Sequence, residues 1–134
     1  DVVFNVKYSI VNCSMGEFEG YFGSEWCFNF LTGSADDRFF YSKDKILTMR
    51  KLGDTGDENN ITHISIRDEW QGLEVEFYFS DEGRIFNFPI ETVSQSENGQ
   101  ERVHQGNVII PCWKKVFYPG SEIEINIKVT IKSI

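Results

Sequence analysis

The sequence is poor in the residues that carry out chemistry. Among 134 residues, His63 and His104 are the only histidines. Neither belongs to an HExxH or His-x-His pattern, and no phosphate-cradling G-x-x-x-x-G-K-[ST] or G-x-G-x-x-G run occurs. Cysteine is equally sparse: Cys13, Cys27 and Cys112, an odd count without a CxxC spacing. Five Cys and His residues spread this widely do not form the close four-ligand set of a structural zinc site. No metal and no cofactor is therefore expected. The cysteines read as reduced, partly buried thiols in a cytoplasmic protein. No apolar run approaches the roughly 20 residues of a membrane span, and no signal-peptide pattern is visible. Clustered basic charge is also lacking. The 13 Lys and Arg face 21 Asp and Glu, giving a net charge of -8, and the longest basic cluster is Lys114-Lys115. Nucleic acid and anionic membranes need clustered cations to replace counterions, so both are poor partners.

What the chain does contain is strand sequence. Hydrophobic residues make up 40% and aromatics 15%, with 12 phenylalanines. That is too apolar for disorder and enough for one core, so residues 1–134 read as a single domain. Ile123, Ile125, Ile127, Val129 and Ile131 alternate with Glu124, Asn126, Lys128, Thr130 and Lys132. Five β-branched residues at period two specify a strand with one buried face and exclude a helix. Phe4, Val6, Tyr8 and Ile10 repeat the pattern, as do Trp26, Phe28 and Phe30, and Leu73, Val75, Phe77 and Phe79. Residues 80–83 (SDEG) read as a hairpin turn with Gly83 at a positive φ, and 85–90 as the returning strand. Pro89 cannot donate to a ladder, so its strand lies at an edge there or is about to end. Weaker strands are expected at 39–42, 45–50, 61–67 and 103–110. Residues 53–60 (GDTGDENN) and 94–100 (SQSENGQ) read as polar loops. One short helical turn is the most that fits at 113–117. The pattern predicts an all-β fold of about eight strands, an antiparallel β-sandwich in the first place, with a barrel as the alternative.

Three weaker signals have plain structural readings. Cys112 and His104 could pair as nucleophile and base, but a cysteine between Pro111 and Trp113 reads better as a small core residue. Asp54, Asp57, Glu58 and Asn59 do not have calcium-loop spacing and read as a solvated acidic loop. Two glycosylation sequons, at Asn12 and Asn60, are frequent enough by chance to carry little weight.

Some of these segments resemble the MATH (meprin and TRAF homology) domain. Residues 4–14 (FNVKYSIVNCS) are similar to that family's opening "I-x-N-F-S" strand, with Cys13 in place of Phe. Residues 24–30 (SEWCFNF) resemble its Trp-centred strand, and 61–66 its short "L-S-L-Y-L" strand. Residues 68–80 (DEWQGLEVEFYFS) resemble its "W-x-v-x-a-x-f-x-f-s" segment, and 121–131 its closing strand. At the family's W-G-F position this chain has Gln105-Gly106-Asn107, without the aromatics. The resemblance implies a TRAF-like sandwich acting as a non-catalytic adaptor for an extended peptide or folded protein, as in ubiquitin ligase substrate recognition. It maps the partner groove to Arg102, Val103, His104, Gln105, Gly106 and Asn107, with Thr62 and His63 on a neighbouring strand. The alternative is a secreted, lectin-like sandwich that binds carbohydrate. The two sequons support it, as do Trp70 and Trp113, which look exposed, with Asp68, Glu69 and Gln71 around Trp70. No enzyme activity is expected under either reading.

Overall fold

The computed structural model describes residues 1–134. Its eight strands are β1 (Val2–Val11), β2 (Phe18–Gly23), β3 (Trp26–Phe28), β4 (Arg38–Tyr41), β5 (Gly56–Asp68), β6 (Leu73–Ser96), β7 (Gly99–Phe117) and β8 (Glu122–Ser133), all paired antiparallel. The alternation that specified β8 decides its burial. Ile125, Ile127 and Val129 are almost completely inaccessible, while the residues between them face out. β1 has the same period but leaves Phe4 47% exposed, because it is an edge strand paired only to β8.

One layer is ordered β1-β8-β6-β5-β4. The second is built on β7, which pairs β2 and β3 on one side and the distal half of β6 on the other. β5 and β6 run through both layers, which is how one continuous sheet folds into an all-β antiparallel sandwich. β5 bends at register shifts around Ile61, where Asn60 adopts a left-handed φ of 57° that asparagine tolerates. Across the interior, Trp26 and Phe28 meet Phe77 edge-on at 5.3 and 5.6 Å, and Trp113 meets Phe79 at 5.6 Å.

Several local expectations are corrected. Residues 80–83 are not a hairpin turn but the corner where β6 passes from one layer to the other. Gly83 does not have a positive φ. It is glycine because an added Cβ would lie 2.6 Å from Trp113 Nε1 and 2.9 Å from the Cys112 carbonyl oxygen. Trp113 is 2% exposed rather than a surface residue. The helical turn expected at 113–117 is the end of β7, paired with β2 from Phe18↔Phe117 to Gly23↔Cys112. Within the expected loop at 53–60, β5 has already begun at Gly56. Residues 94–100 form a tight β6–β7 hairpin with Gly99 at φ 107°. Residues 45–50 form no regular strand, although Leu47 and Met49 fill core space from them. Pro89 does lie at an edge: beyond Asn87, β6 pairs with β7 alone.

Candidate functional site on the outer face of the five-stranded layer

Alternation along β6 sends Val75, Phe77 and Phe79 into the core, so Glu74, Glu76 and Tyr78 lie on the opposite face. An outer sheet face is ordinarily solvated, yet Glu74 and Glu76 are only 1% and 5% exposed. They are covered by neighbours that strand register places around them. Ser65 sits opposite Glu76, Arg67 and Lys132 flank Glu74, and His63 sits opposite Tyr78.

Every carboxylate oxygen of the pair is engaged. Glu76 Oε1 accepts from Lys43 Nζ at 2.9 Å and from His63 Nε2 at 3.3 Å, and Oε2 accepts from Lys132 Nζ at 2.8 Å. Glu74 Oε1 accepts from the Tyr41 hydroxyl and from Ser65 Oγ at 2.7 Å. Its Oε2 faces Lys132 at 3.5 Å and Arg67 at 3.6 Å. His63 Nδ1 accepts the Lys43 backbone N–H at 3.0 Å, which fixes the neutral tautomer with its proton on Nε2. The Lys43 ammonium also bonds the Tyr78 hydroxyl and lies 5.1 Å from its ring centroid, while the His63 ring packs 4.8 Å from the same ring.

The protonation states follow from this packing. Burial pushes the Glu76 carboxyl up, but the hydrogen bonds from Lys132, Lys43 and His63 outweigh it and the carboxyl ends lowered to about 2. Burial works on Glu74 in the same sense, and the Tyr41 and Ser65 hydroxyls reverse it, holding Glu74 below the ordinary carboxylate range. Burial lowers the His63 imidazole, so it stays neutral. Acid–base catalysis by a carboxylate pair needs one of them protonated at working pH, with a raised pKa. Here both are lowered and saturated, which suits a fixed polar scaffold better than acid–base work.

On the β8 side of Tyr78 this face opens into a cleft of ≈ 520 Å³ between β1, β8 and β6, lined by Asn5, Lys7, Tyr78, Ser80, Asn126 and Lys128 among others.

The residues singled out from sequence fall in two places. His63 belongs to the carboxylate network, and Thr62 is held beside it by Asp44, which accepts its N–H at 2.5 Å. Residues 102–107 lie on β7, which pairs with β6 and β3 and not with β5. Arg102, Val103 and Gln105 are exposed there. Arg102 and His104 border a separate polar cleft of ≈ 370 Å³ with Lys51, Asp54 and Glu91. His104 Nε2 donates toward the Phe30 carbonyl at 3.0 Å and Asn107 Oδ1 at 3.2 Å. Gly106 and Asn107 are buried: a Cβ on Gly106 would strike the Phe28 carbonyl oxygen at 2.5 Å, and Asn107 Nδ2 donates to the Leu52 carbonyl at 2.6 Å. His104 does not reach Cys112, which is buried at the far end of β7 next to Gly23. The acidic residues at 54–58 turn to different partners: Asp54 to two backbone amides, Asp57 to Arg84, and Glu58 to Thr48 and Lys45. The network itself was not legible in sequence. Glu74 and Glu76 read as the solvated side of an alternating strand, and nothing local shows that Lys43 and Lys132 fold over them.

The fold and this face define a class: an antiparallel β-sandwich domain that presents a charge-paired, hydrogen-bonded polar face beside an open cleft. The chain belongs to the alpha-amylase/4-alpha-glucanotransferase C-terminal domain family, whose model matches residues 2–129. It is 32% identical over 133 residues to alpha-amylase 1 of Dictyoglomus thermophilum, covering 96% of this chain but 18% of that protein. Among solved structures it resembles 4-alpha-glucanotransferase from Thermococcus litoralis, with a TM-score of 0.61 and 18% identity over 93% of this chain and 16% of that one. It also resembles a putative aldose 1-epimerase from Escherichia coli K12, with a TM-score of 0.70 and 8% identity over 98% of this chain and 57% of that one. At these identities the two structures speak to fold alone. The family match overturns the MATH resemblance, and with it the TRAF-like adaptor and ubiquitin ligase substrate-recognition reading. The segments that suggested it are strands with alternating inward apolar residues, a pattern shared by unrelated sandwiches.

Proposed function

We propose that this chain is a non-catalytic carbohydrate-binding domain serving an α-glucan-processing enzyme. The observation that carries the reading is the Glu74–Glu76 network, set within a family of glucan-enzyme C-terminal domains. It is a polar sheet face with its charges internally neutralised and its aromatic side chains locked. Such a face is preorganised for neutral, hydroxyl-rich ligands and spends little ordering entropy on binding. The same saturation argues against catalysis, since neither carboxylate is available to give or take a proton near neutral pH. The chain spans 18% of the curated relative it matches, which leaves most of such an enzyme's length to carry the reaction. Affinity electrophoresis tests the reading. Soluble starch cast in the gel should retard the 134-residue chain, dextran should not, and incubation with starch should release no reducing ends. Migration unchanged by starch would remove the proposal.

A further inference from the structure

We infer that the cleft between β1, β8 and β6 is the glucan subsite of this domain, taking a short stretch of neutral α-linked glucose units. The inference rests on the function proposed above and gives it a location. The cleft of ≈ 520 Å³ falls in the range of small-ligand sites, about 300–1,000 Å³. Register brings its walls together: Asn5 pairs with Lys128 and Lys128 with Tyr78 in one row across three strands, and Lys7 pairs with Asn126 in the next.

The chemistry of the lining matches a pyranose. Asn5 and Asn126 are exposed side-chain amides that both donate and accept, as the rim hydroxyls of a sugar require. Asn126 uses its backbone N–H, not its side chain, to hold Ser80 Oγ at 2.9 Å. Tyr78 supplies a flat ring whose position is set from the β5 side by His63 and by the Lys43 ammonium, so it walls the cleft without needing to be ordered by ligand. Lys7 is neutralised by Glu124 at 2.8 Å. No carboxylate lines the cleft, and Lys128 remains as a donor. Four other clefts differ from it. The one at Arg102 and His104 has no hydrophobic wall, the one bounded by Ile10, Val11, Phe18 and Phe117 is mainly apolar, and the one beside Tyr41 and Lys43 has no side-chain amide. The nearest in lining, at Tyr21, Asn59 and Asn60, holds only ≈ 230 Å³ and includes the Glu82 carboxylate.

The test is an amide-resolved NMR titration of the 134-residue chain with maltopentaose, repeated with an oligogalacturonate of the same length. The parent should show saturable shifts centred on Asn5, Asn126, Lys128 and Tyr78 with maltopentaose only. The double variant Asn5→Ala, Asn126→Ala alters two exposed side chains and should keep the parent's melting temperature. It should bind about tenfold more weakly, the effect of losing one to two net hydrogen bonds. Tyr78→Ala should abolish the shifts at Asn5 and Asn126. If the double variant binds as the parent does while Trp70→Ala loses binding, the cleft is wrong and the carbohydrate function stands. If the parent binds no maltopentaose at millimolar concentration, the function and the subsite both fall. Preferential binding of the oligogalacturonate would overturn the assignment to a neutral glucan.

Discussion

Trp113 donates its indole N–H to the Asp81 carbonyl at 2.9 Å, and its ring closes over Gly83. That contact pins the corner where β6 changes layer. Lys115 binds the Asp81 carboxylate at 2.5 Å and holds the same corner from the surface. The corner carries β6 from the Glu74–Glu76 face into its pairing with β7, so its geometry positions the far edge of the cleft at Ser80.

Gly83→Ala should therefore destabilise the fold by about 1–3 kcal/mol, the usual penalty for overpacking a fitted site. The new methyl meets an indole nitrogen and a backbone carbonyl, neither of which is the free end of a flexible chain. Urea unfolding measures the effect. A loss below about 0.5 kcal/mol, within the range of an ordinary surface change, would mean that the corner relaxes freely.

Ile127→Ala should cost roughly 2–5 kcal/mol, because it removes methyl groups from a packed interior and leaves a cavity. Ile127 is 1% exposed, between Val6 on β1 and Phe79 on β6. The same substitution at Ile46, which is 92% exposed, should be nearly neutral. Equal losses at the two positions would contradict the core assignment.

The thiols should separate by accessibility. Cys13 and Cys27 are exposed, while Cys112 is buried against the β2 pairing. Burial also pushes the Cys112 thiol up, leaving less thiolate to react. An aromatic disulfide reagent should count two thiols in the native protein and a third only on unfolding. Three fast thiols would mean that β2 does not cover Cys112.

The contrast between β8 and β6 shows what the amino-acid pattern can reveal. β8 was legible because one face is apolar and the other polar over its whole length, so the period alone gives strand and facing. β6 was misread at 80–83 because Ser, Asp, Glu and Gly are turn residues by local propensity. Their arrangement is decided by Trp113, thirty positions away, and propensity carries no information about that contact. The helical turn expected at 113–117 failed for the same reason, since β2 supplies the pairing that extends β7. The site was less legible than the fold. His63 stood out because histidine is rare, but its partners Lys43, Glu76 and Tyr78 come from elements brought together only by register.

Acid should unfold the domain through the same network, in two stages. His63 is held neutral, so its folded pKa lies below the unfolded value of about 6.5. Its contribution is fully present above 6.5 and is lost as pH falls below that and through the folded value. The Glu76 carboxyl is lowered from an ordinary 4.5 to about 2. Its contribution is fully present above 4.5 and declines as pH falls toward 2, where the folded state also takes up the proton. One pKa unit corresponds to about 1.4 kcal/mol, so a depression of this size is worth on the order of 3–4 kcal/mol. Glu74, lowered by its two hydroxyl donors, loses stability in the same direction. Denaturant titrations at closely spaced pH values should show stability falling from pH 6.5 downward, most steeply below 4.5. Glu76→Gln keeps the shape of the side chain but cannot ionise. It should be less stable at neutral pH, because Lys43 and Lys132 lose their counter-charge, and it should flatten the slope below 4.5. A variant whose stability falls as steeply as the parent's between pH 4.5 and 2 would show that Glu76 is not the group that titrates, and the proposed charge network would have to be redrawn.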